Sequence, residues 1–283
     1  MKIVRTFATS ANLGPGFDTL GICFNIYNEY GFEKSECFYL EGFEEEFIKP
    51  GNNLIIQSYI EVFKQLNKEI VYIKLKQLVQ NIPTSRGLGS SASCIVAGVL
   101  IANEMLGNIL TVDEIFQISS KIEGHPDNVA PLIFGGMTCS FKNDTFKTIK
   151  LNLSNIFNFT VCIPPFKLST SKARAVLPKE VKMSDAVSNI SHSIALIKAL
   201  ELGDMNLLLD ANIDKLHQDY RYPLINNSSY FINFAKENNL TCMISGAGPT
   251  ILLISDKKLN FEYNDWKIYE VKVNNQGAYI YEK

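Results

Sequence analysis

The sequence contains no Gly-Lys pair, no Cys-x-x-Cys pair and no apolar run long enough to cross a bilayer. Each absence removes a class of protein. Without Gly-Lys there is no phosphate loop of the form G-x-x-x-x-G-K-[ST]. A protein kinase is excluded as well, because there is no Asp-Phe-Gly and His125-Pro126-Asp127 is not His-Arg-Asp. The six cysteines, at 23, 37, 94, 139, 162 and 242, are scattered, and no histidine stands at zinc-ligand spacing from them. They read as reduced thiols of a cytosolic protein rather than as a disulfide or metal framework. The longest apolar stretch, Cys94–Leu106, is broken by Asn103 and Glu104, and Met1-Lys2-Ile3-Val4-Arg5 lacks the apolar core of a signal peptide. A basic excess is missing too. Lys+Arg number 27 against Asp+Glu 29, a net charge of −2, which argues against a broad nucleic-acid surface. The expectation is a cytoplasmic chain that binds neither membrane nor nucleic acid.

What is present begins with size. The 283 residues, 46% of them apolar, suffice for one large domain or two medium ones. The most informative stretch is Gly87-Leu88-Gly89-Ser90-Ser91-Ala92-Ser93, which follows Pro83-Thr84-Ser85-Arg86 and leads into the apolar run. Two glycines let a backbone turn tightly and approach a ligand. The first N–H groups of the helix that follows have no internal partner and lie at the positive end of its dipole, a natural anion site. Arg86 adds a positive charge. The plain alternative is a capped helix after a loop. Gly87-x-Gly89-x-x-Ala92 also fits a degenerate dinucleotide fingerprint, but Pro83–Arg86 intervene between strand and first glycine, which spoils the tight strand-to-helix turn.

Periodicity supplies the rest of the frame. Lys2–Ala8 reads as a strand entering a polar loop with Thr9, Ser10, Asn12, Asp18 and Thr19 around Gly14-Pro15-Gly16. Strands are expected at Leu20–Phe32 (one long or a pair), Ile70–Ile82, Leu132–Phe141, Ile149–Ile163, Thr241–Ser245, Thr250–Ser255 and Trp266–Tyr281. Helices are expected at Leu54–Leu66, Ser91–Leu106, from the capping box Thr111–Glu114 to Glu123, and at Ser184–Glu201, Asp204–Leu216 and Ser228–Asn238. Glu123 is odd, since an acid at a helix C-terminus meets the wrong end of the dipole. Strands and helices come in mixed runs, which favours an α+β fold. Pro164-Pro165 is the clearest break, dividing the chain into 1–164 and 165–283.

Six segments, in order along the chain, resemble the GHMP kinases in the form found in homoserine kinases. Pro83 to Ala92, reading Pro-x-x-x-Gly-Leu-Gly-Ser-Ser-Ala, is similar to the family's ATP-binding motif, and Ala8–Asp18 and Ser245–Thr250 to its first and third motifs. Glu123-Gly124-His125-Pro126-Asp127-Asn128-Val129-Ala130-Pro131, Ser171–Pro178 and His217–Ile225 extend the resemblance. It implies a ribosomal S5 domain 2-like N-terminal domain, a ferredoxin-like C-terminal domain and ATP-dependent phosphorylation of L-homoserine, a step of threonine biosynthesis. It further implies that Pro83–Ser93 (Pro83, Thr84, Ser85, Arg86, Gly87, Leu88, Gly89, Ser90, Ser91, Ala92 and Ser93) bind ATP and that Ser91 and Glu123 hold Mg²⁺. Arg174 and Arg221 match the binders of the substrate carboxylate. Asn12, Asp18, His125, Asn128 and Gly246 are expected around its ammonium and hydroxyl, with Asp18 a candidate proton acceptor. Asn53 is expected near adenine, His192 and His217 are expected to be structural, and the family suggests a homodimer.

Overall fold

The long strand β2 (Leu20–Lys34) organises one half of the fold, after β1 (Lys2–Ala11), which pairs with it antiparallel along almost its whole length. The computed structural model describes residues 1–282. After β2 come β3 (Tyr39–Glu41), α1 (Leu54–Gln65), β4 (Ile73–Gln80), α2 (Ser90–Met105), α3 (Val112–Glu123), α4 (Val129–Phe134), β5 (Met137–Lys142), β6 (Phe146–Leu151) and β7 (Asn158–Ile163). The chain continues with α5 (Thr170–Ala175), α6 (Met183–Leu202), α7 (Met205–Ala211), α8 (Gln218–Arg221), α9 (Ser228–Asn238), β8 (Thr241–Ile244), β9 (Ile251–Ser255), β10 (Lys267–Val271) and β11 (Tyr279–Glu282).

β2 bears two neighbours on one edge: its start pairs with β5 and its end with β4. The resulting seven-stranded sheet follows β11-β1-β2-β4-β3, with β5 and β6 attached beside β2. A second sheet, β10-β7-β9-β8, is antiparallel throughout. Strand period decides its two faces. Phe159, Val161, Met243, Leu252 and Ile254 enter the core shared with β2 and α6, whereas Cys162, Cys242, Ile244, Ile251 and Leu253 enter a separate core under α9. α1 and α2 pack on the other sheet through Tyr59, Val62, Phe63, Ile95 and Val99. The architecture is therefore mixed α+β with two sheets joined by one core. Pro164 follows directly on β7, and the sheets interleave in sequence: β7 belongs to the second sheet and β11 to the first.

Four expected elements differ. Leu132–Phe141 is not one strand, since α4 takes Val129–Phe134 and β5 starts only after Gly135-Gly136. A short apolar run reads alike as buried helix or strand. Ile149–Ile163 and Trp266–Tyr281 each divide into two strands that lie in different sheets. The helix expected over Asp204–Leu216 stops at Ala211. There the Asn212 amide donates to the Cys242 carbonyl, and the Asp214 carboxylate gathers the N–H groups of Leu216, His217 and Gln218 into a turn. The other five expected helices fall within a residue or two of their expected bounds, and Thr111 and Glu114 form the expected capping box. Among the described residues no helix is long and apolar enough to cross a membrane.

Candidate active site

Three glycine-rich loops meet where the two sheets join. Gly89 caps α2 in a left-handed conformation and has no side chain to satisfy the helix's first N–H groups, which stay available for an anion. Its φ is +67°, and an added Cβ would stand 2.0 Å from Thr9 Oγ1. At Gly87, with φ +76°, a Cβ would meet the Ser245 carbonyl oxygen at 2.3 Å. These close approaches are the reason for glycine at both positions. The loops are laced together by hydrogen bonds. Thr9 N donates to Leu88 O (3.2 Å), Ser245 Oγ to Gly87 O (2.6 Å), Gly246 N to Ala11 O (2.9 Å) and Thr250 N to Arg86 O (3.3 Å).

A cavity of about 410 Å³ opens beside them. It is lined by Asn12, Asp18, Asn53, Thr84, Ser85, Arg86, Gly87, Gly89, Ser90, Ser91, Glu123, His125, Asn128, Arg174, Arg221 and Gly246, all singled out in the sequence. Pro83 is not among the lining residues, and Leu88, Ala92 and Ser93 are fully buried behind the loop, where Ser93 Oγ meets Thr6 Oγ1 at 2.7 Å. Those side chains hold the loop in place. Arg86 has a different use from the expected phosphate contact. Its Nε donates to Pro164 O (2.9 Å) and a terminal nitrogen to Pro165 O (2.8 Å), so its guanidinium is tied to the crossover after β7. Asn53 lines the cavity, yet its amide is engaged in capping α1 and in donating to Phe47 O. One end of the cavity is apolar and aromatic, with Tyr30, Phe43, Phe47, Leu54 and Ile82. Tyr30 and Phe43 are stacked at 6.1 Å. No sequence signal marks this wall, because its members come from four separated segments with no motif among them.

Beside the α2 terminus, Ser91 Oγ donates to Glu123 Oε2 at 2.7 Å. Burial pushes the Glu123 carboxyl above the usual carboxylate range, partly offset by that bond. His125 Nδ1 lies 3.1 Å from Asp127 Oδ1, and that contact raises the imidazole's pKa. Asn128 Oδ1 accepts from Thr9 Oγ1 (2.8 Å). Ser91 and Glu123 together offer two hard oxygens next to an anion site.

On the far side stand two arginines. Arg174, on α5, makes a bidentate pair with Asp18: 2.8 Å to Oδ1 and 3.1 Å to Oδ2. Asp18 is held by its backbone N–H, which donates to Asn12 Oδ1 at 2.8 Å, while Asn12 Nδ2 donates to Gly246 O at 2.9 Å. Asn12 and Asp18 both have positive φ, 58° and 53°. Arg221, on α8, is only 1% exposed. Its donors reach neutral acceptors, Ala173 O (3.3 Å), Gly246 O (3.3 Å) and His217 Nδ1 (3.1 Å). Among the described residues no carboxylate pairs with it. Burial pulls its pKa down to about 10. His217, fully buried, meets Gly14 O through Nε2 at 2.9 Å. A carbonyl only accepts and a guanidinium only donates, so the ring is the neutral Nε2–H tautomer. The Phe17 ring lies against both guanidiniums, 5.8 Å from Arg174 and 5.2 Å from Arg221.

The arrangement thus offers an anion-binding helix terminus, a hard-oxygen pair and two cations in one cleft, a chemistry suited to phosphoryl transfer onto a carboxylate-bearing acceptor. Comparison with known proteins agrees. The model of the GHMP kinases N terminal domain matches residues 53–136. A homoserine kinase of Clostridium beijerinckii is 40% identical over 297 aligned residues, covering 100% of this chain and 99% of that protein. One of Clostridium botulinum strain Kyoto is 40% identical over 298, covering 99% of this chain and 98% of the relative. The crystal structure of homoserine kinase from Cytophaga hutchinsonii is similar with a TM-score of 0.86 at 26% identity, covering 99% of this chain and 97% of that one. Phosphomevalonate kinase of Streptococcus pneumoniae, with a TM-score of 0.72 at 14% identity over 91% of this chain and 93% of its own, shares the fold. The chain belongs to the homoserine kinase family of the GHMP kinases.

Proposed function

We propose that the chain transfers the γ-phosphoryl group of ATP to the hydroxyl of L-homoserine, giving O-phospho-L-homoserine and ADP, a step of threonine biosynthesis. The observation that carries this reading is the meeting, in one cavity, of the α2 terminus with Arg174, Arg221 and Asp18. Phosphoryl transfer needs positioning and charge neutralisation more than covalent help from the protein. The N–H groups of Ser90 and its neighbours bind the phosphates. The apolar wall of Tyr30, Phe43 and Phe47 suits the nucleobase. Arg174 and Arg221 grip the carboxylate, and Asp18, Asn12, His125 and Asn128 surround the ammonium and the hydroxyl. Asp18 is the candidate acceptor for the hydroxyl proton.

Ser91 and Glu123 fit Mg²⁺, which prefers oxygen ligands and takes one or two from protein while keeping water and phosphate oxygens. Burial makes the Glu123 carboxylate costly without a cation nearby. Held there, the ion would supply neutralisation of the phosphate charge that builds up during transfer. The same reading divides the chain into an S5 domain 2-like ATP-binding part, residues 1–164, and a ferredoxin-like part, 165–283, with β7 and β11 each crossing over to the other part's sheet. It places the protein in the cytoplasm, as a homodimer.

A coupled assay of ADP release over L-homoserine, mevalonate and shikimate tests it. L-homoserine should be turned over, and Glu123→Gln should lower kcat by about 100-fold or more, recovering in part at higher Mg²⁺. Turnover of another alcohol with none on L-homoserine would refute the substrate, and a kcat of Glu123→Gln indifferent to Mg²⁺ would refute the metal role.

A further inference from the structure

We propose that the Asp18–Arg174 ion pair is a charge latch that selects substrates carrying both a carboxylate and an ammonium. The proposal deepens the amino-acid reading above and rests on it. The pair is bidentate, at 2.8 and 3.1 Å, both residues line the cavity, and their side chains are 35% and 41% exposed, so a ligand in the cavity can reach it. The carboxylate end is fixed: Asp18 sits at positive φ with its N–H tied to Asn12, and Asn12 is tied to Gly246. The guanidinium end rides on α5, a helix of six residues. Behind the pair stands Arg221, a buried cation that makes no ion-pair contact with a carboxylate among the described residues, and the Phe17 ring lies 5.8 Å from the Arg174 guanidinium and 5.2 Å from that of Arg221.

The charge pattern sets the selection. A ligand with only a carboxylate can neutralise Arg221. To engage Arg174 as well it must break the latch and leave Asp18 without a cation. A ligand with only an ammonium can draw off Asp18, but then two arginines face each other unpaired. Leaving one member of a partly desolvated pair alone is costly. A ligand with both charges on one carbon gives its carboxylate to the arginines and its ammonium to Asp18. One ion pair becomes two and no charge is left alone. No covalent bond changes in the exchange. Discrimination therefore comes from what the wrong ligands strand as much as from what the right one contacts.

The latch makes a prediction of unusual sign: removing Asp18 should improve the binding of a wrong ligand. Three probes separate the charges: L-homoserine, 4-hydroxybutyrate (no ammonium) and 3-amino-1-propanol (no carboxylate). Each is titrated by ligand-observed NMR against the full chain, Asp18→Asn, Arg174→Gln and the double variant. With the latch, Asp18→Asn binds 4-hydroxybutyrate about tenfold tighter than the wild type, and Arg174→Gln binds 3-amino-1-propanol tighter. Both gains vanish in the double variant, and L-homoserine weakens in all three. An Asp18→Asn gain that persists in the Arg174→Gln background means a long-range charge effect and overturns the latch. So does unchanged or weaker binding of 4-hydroxybutyrate to Asp18→Asn. A wild type that ignores L-homoserine refutes the substrate reading instead, and the two analogue arms still decide the latch. Asp18→Asn is isosteric and Arg174→Gln shortens a side chain that is 41% exposed, so neither disturbs the core, and circular dichroism of each variant checks that it folds.

Discussion

Two buried or half-buried histidines show how one residue type is put to opposite uses. His125 lies against Asp127, which raises its pKa above the ordinary value of about 6.5. A raised folded-state pKa contributes stability that is complete below the unfolded value and fades as pH rises through the folded value. His217 is held neutral between Gly14 O and Arg221, and burial lowers its pKa. It opposes folding as pH falls below about 6.5, because only the unfolded chain then takes the proton freely. His125→Gln should therefore lower Tm most below pH 6.5, with the deficit narrowing above it. Thermal scans from pH 5 to 8 read this directly, and a deficit that widens with pH would contradict the His125–Asp127 contact. Legibility at this scale was uneven. Gly87 and Gly89 announced themselves because glycine is required where a Cβ would collide. Arg86 did not, because a sequence records a charge but not where its donors are already engaged. Tyr30, Phe43 and Phe47 were silent because aromatic residues at scattered positions look like ordinary core.

Elements were legible where their own periodicity and caps decided them, as in α1, α2, α3 and α6. They were misread where tertiary partners decided. The helix expected through Leu216 ends at Ala211 because Asn212 and Asp214 bond elsewhere, which no local signal reveals. α6 shows the same dependence in reverse. Its buried Asn189 donates to Pro15 O at 2.7 Å and accepts from Lys215 N at 2.7 Å. One amide so fastens both the loop that carries Phe17 and Asp18 and the turn that leads to Arg221. Asn189→Leu should cost about 1–3 kcal/mol of stability, through the carbonyl and N–H left unmet. It should also raise the KM for L-homoserine more than that for ATP. Denaturant unfolding and steady-state kinetics check the two parts separately. An unaltered ratio of the two KM values would show that α6 does not set the substrate side.

At the scale of the molecule, the α+β class followed from the mixture of strands and helices. The interleaving of the sheets did not, since β7 and β11 join sheets remote in sequence from their neighbours. One surface also bears on assembly. Met183, Val187, Ile190 and Ile194 are exposed on α6 at spacings of four, three and four, a seam of two heptads. The spacing reads the same in both directions, so two antiparallel copies of α6 would set Met183 against Ile194 and Val187 against Ile190. That self-complementarity is what a two-fold dimer requires. Ile190→Glu should shift a sedimenting dimer to monomer with little change in helical circular dichroism. A wild type that sediments as a monomer, or a variant that stays dimeric, would rule out this seam.

The bonds that lace the three glycine loops also impose an order in time. Gly87 and Arg86 are held by Ser245 and Thr250, which the ribosome delivers more than 150 residues later. Until then the strands β1 to β6 of the first sheet can pair with one another, but β11 is still to come and the loop between β4 and α2 lacks its far wall. Nucleotide binding should therefore be a late property of the growing chain, acquired when β8 and β9 close against β7. A chain cut short before Thr250 would lack the bond from Thr250 to Arg86 and the strand β9, and so be unable to shape the loop that holds the phosphates.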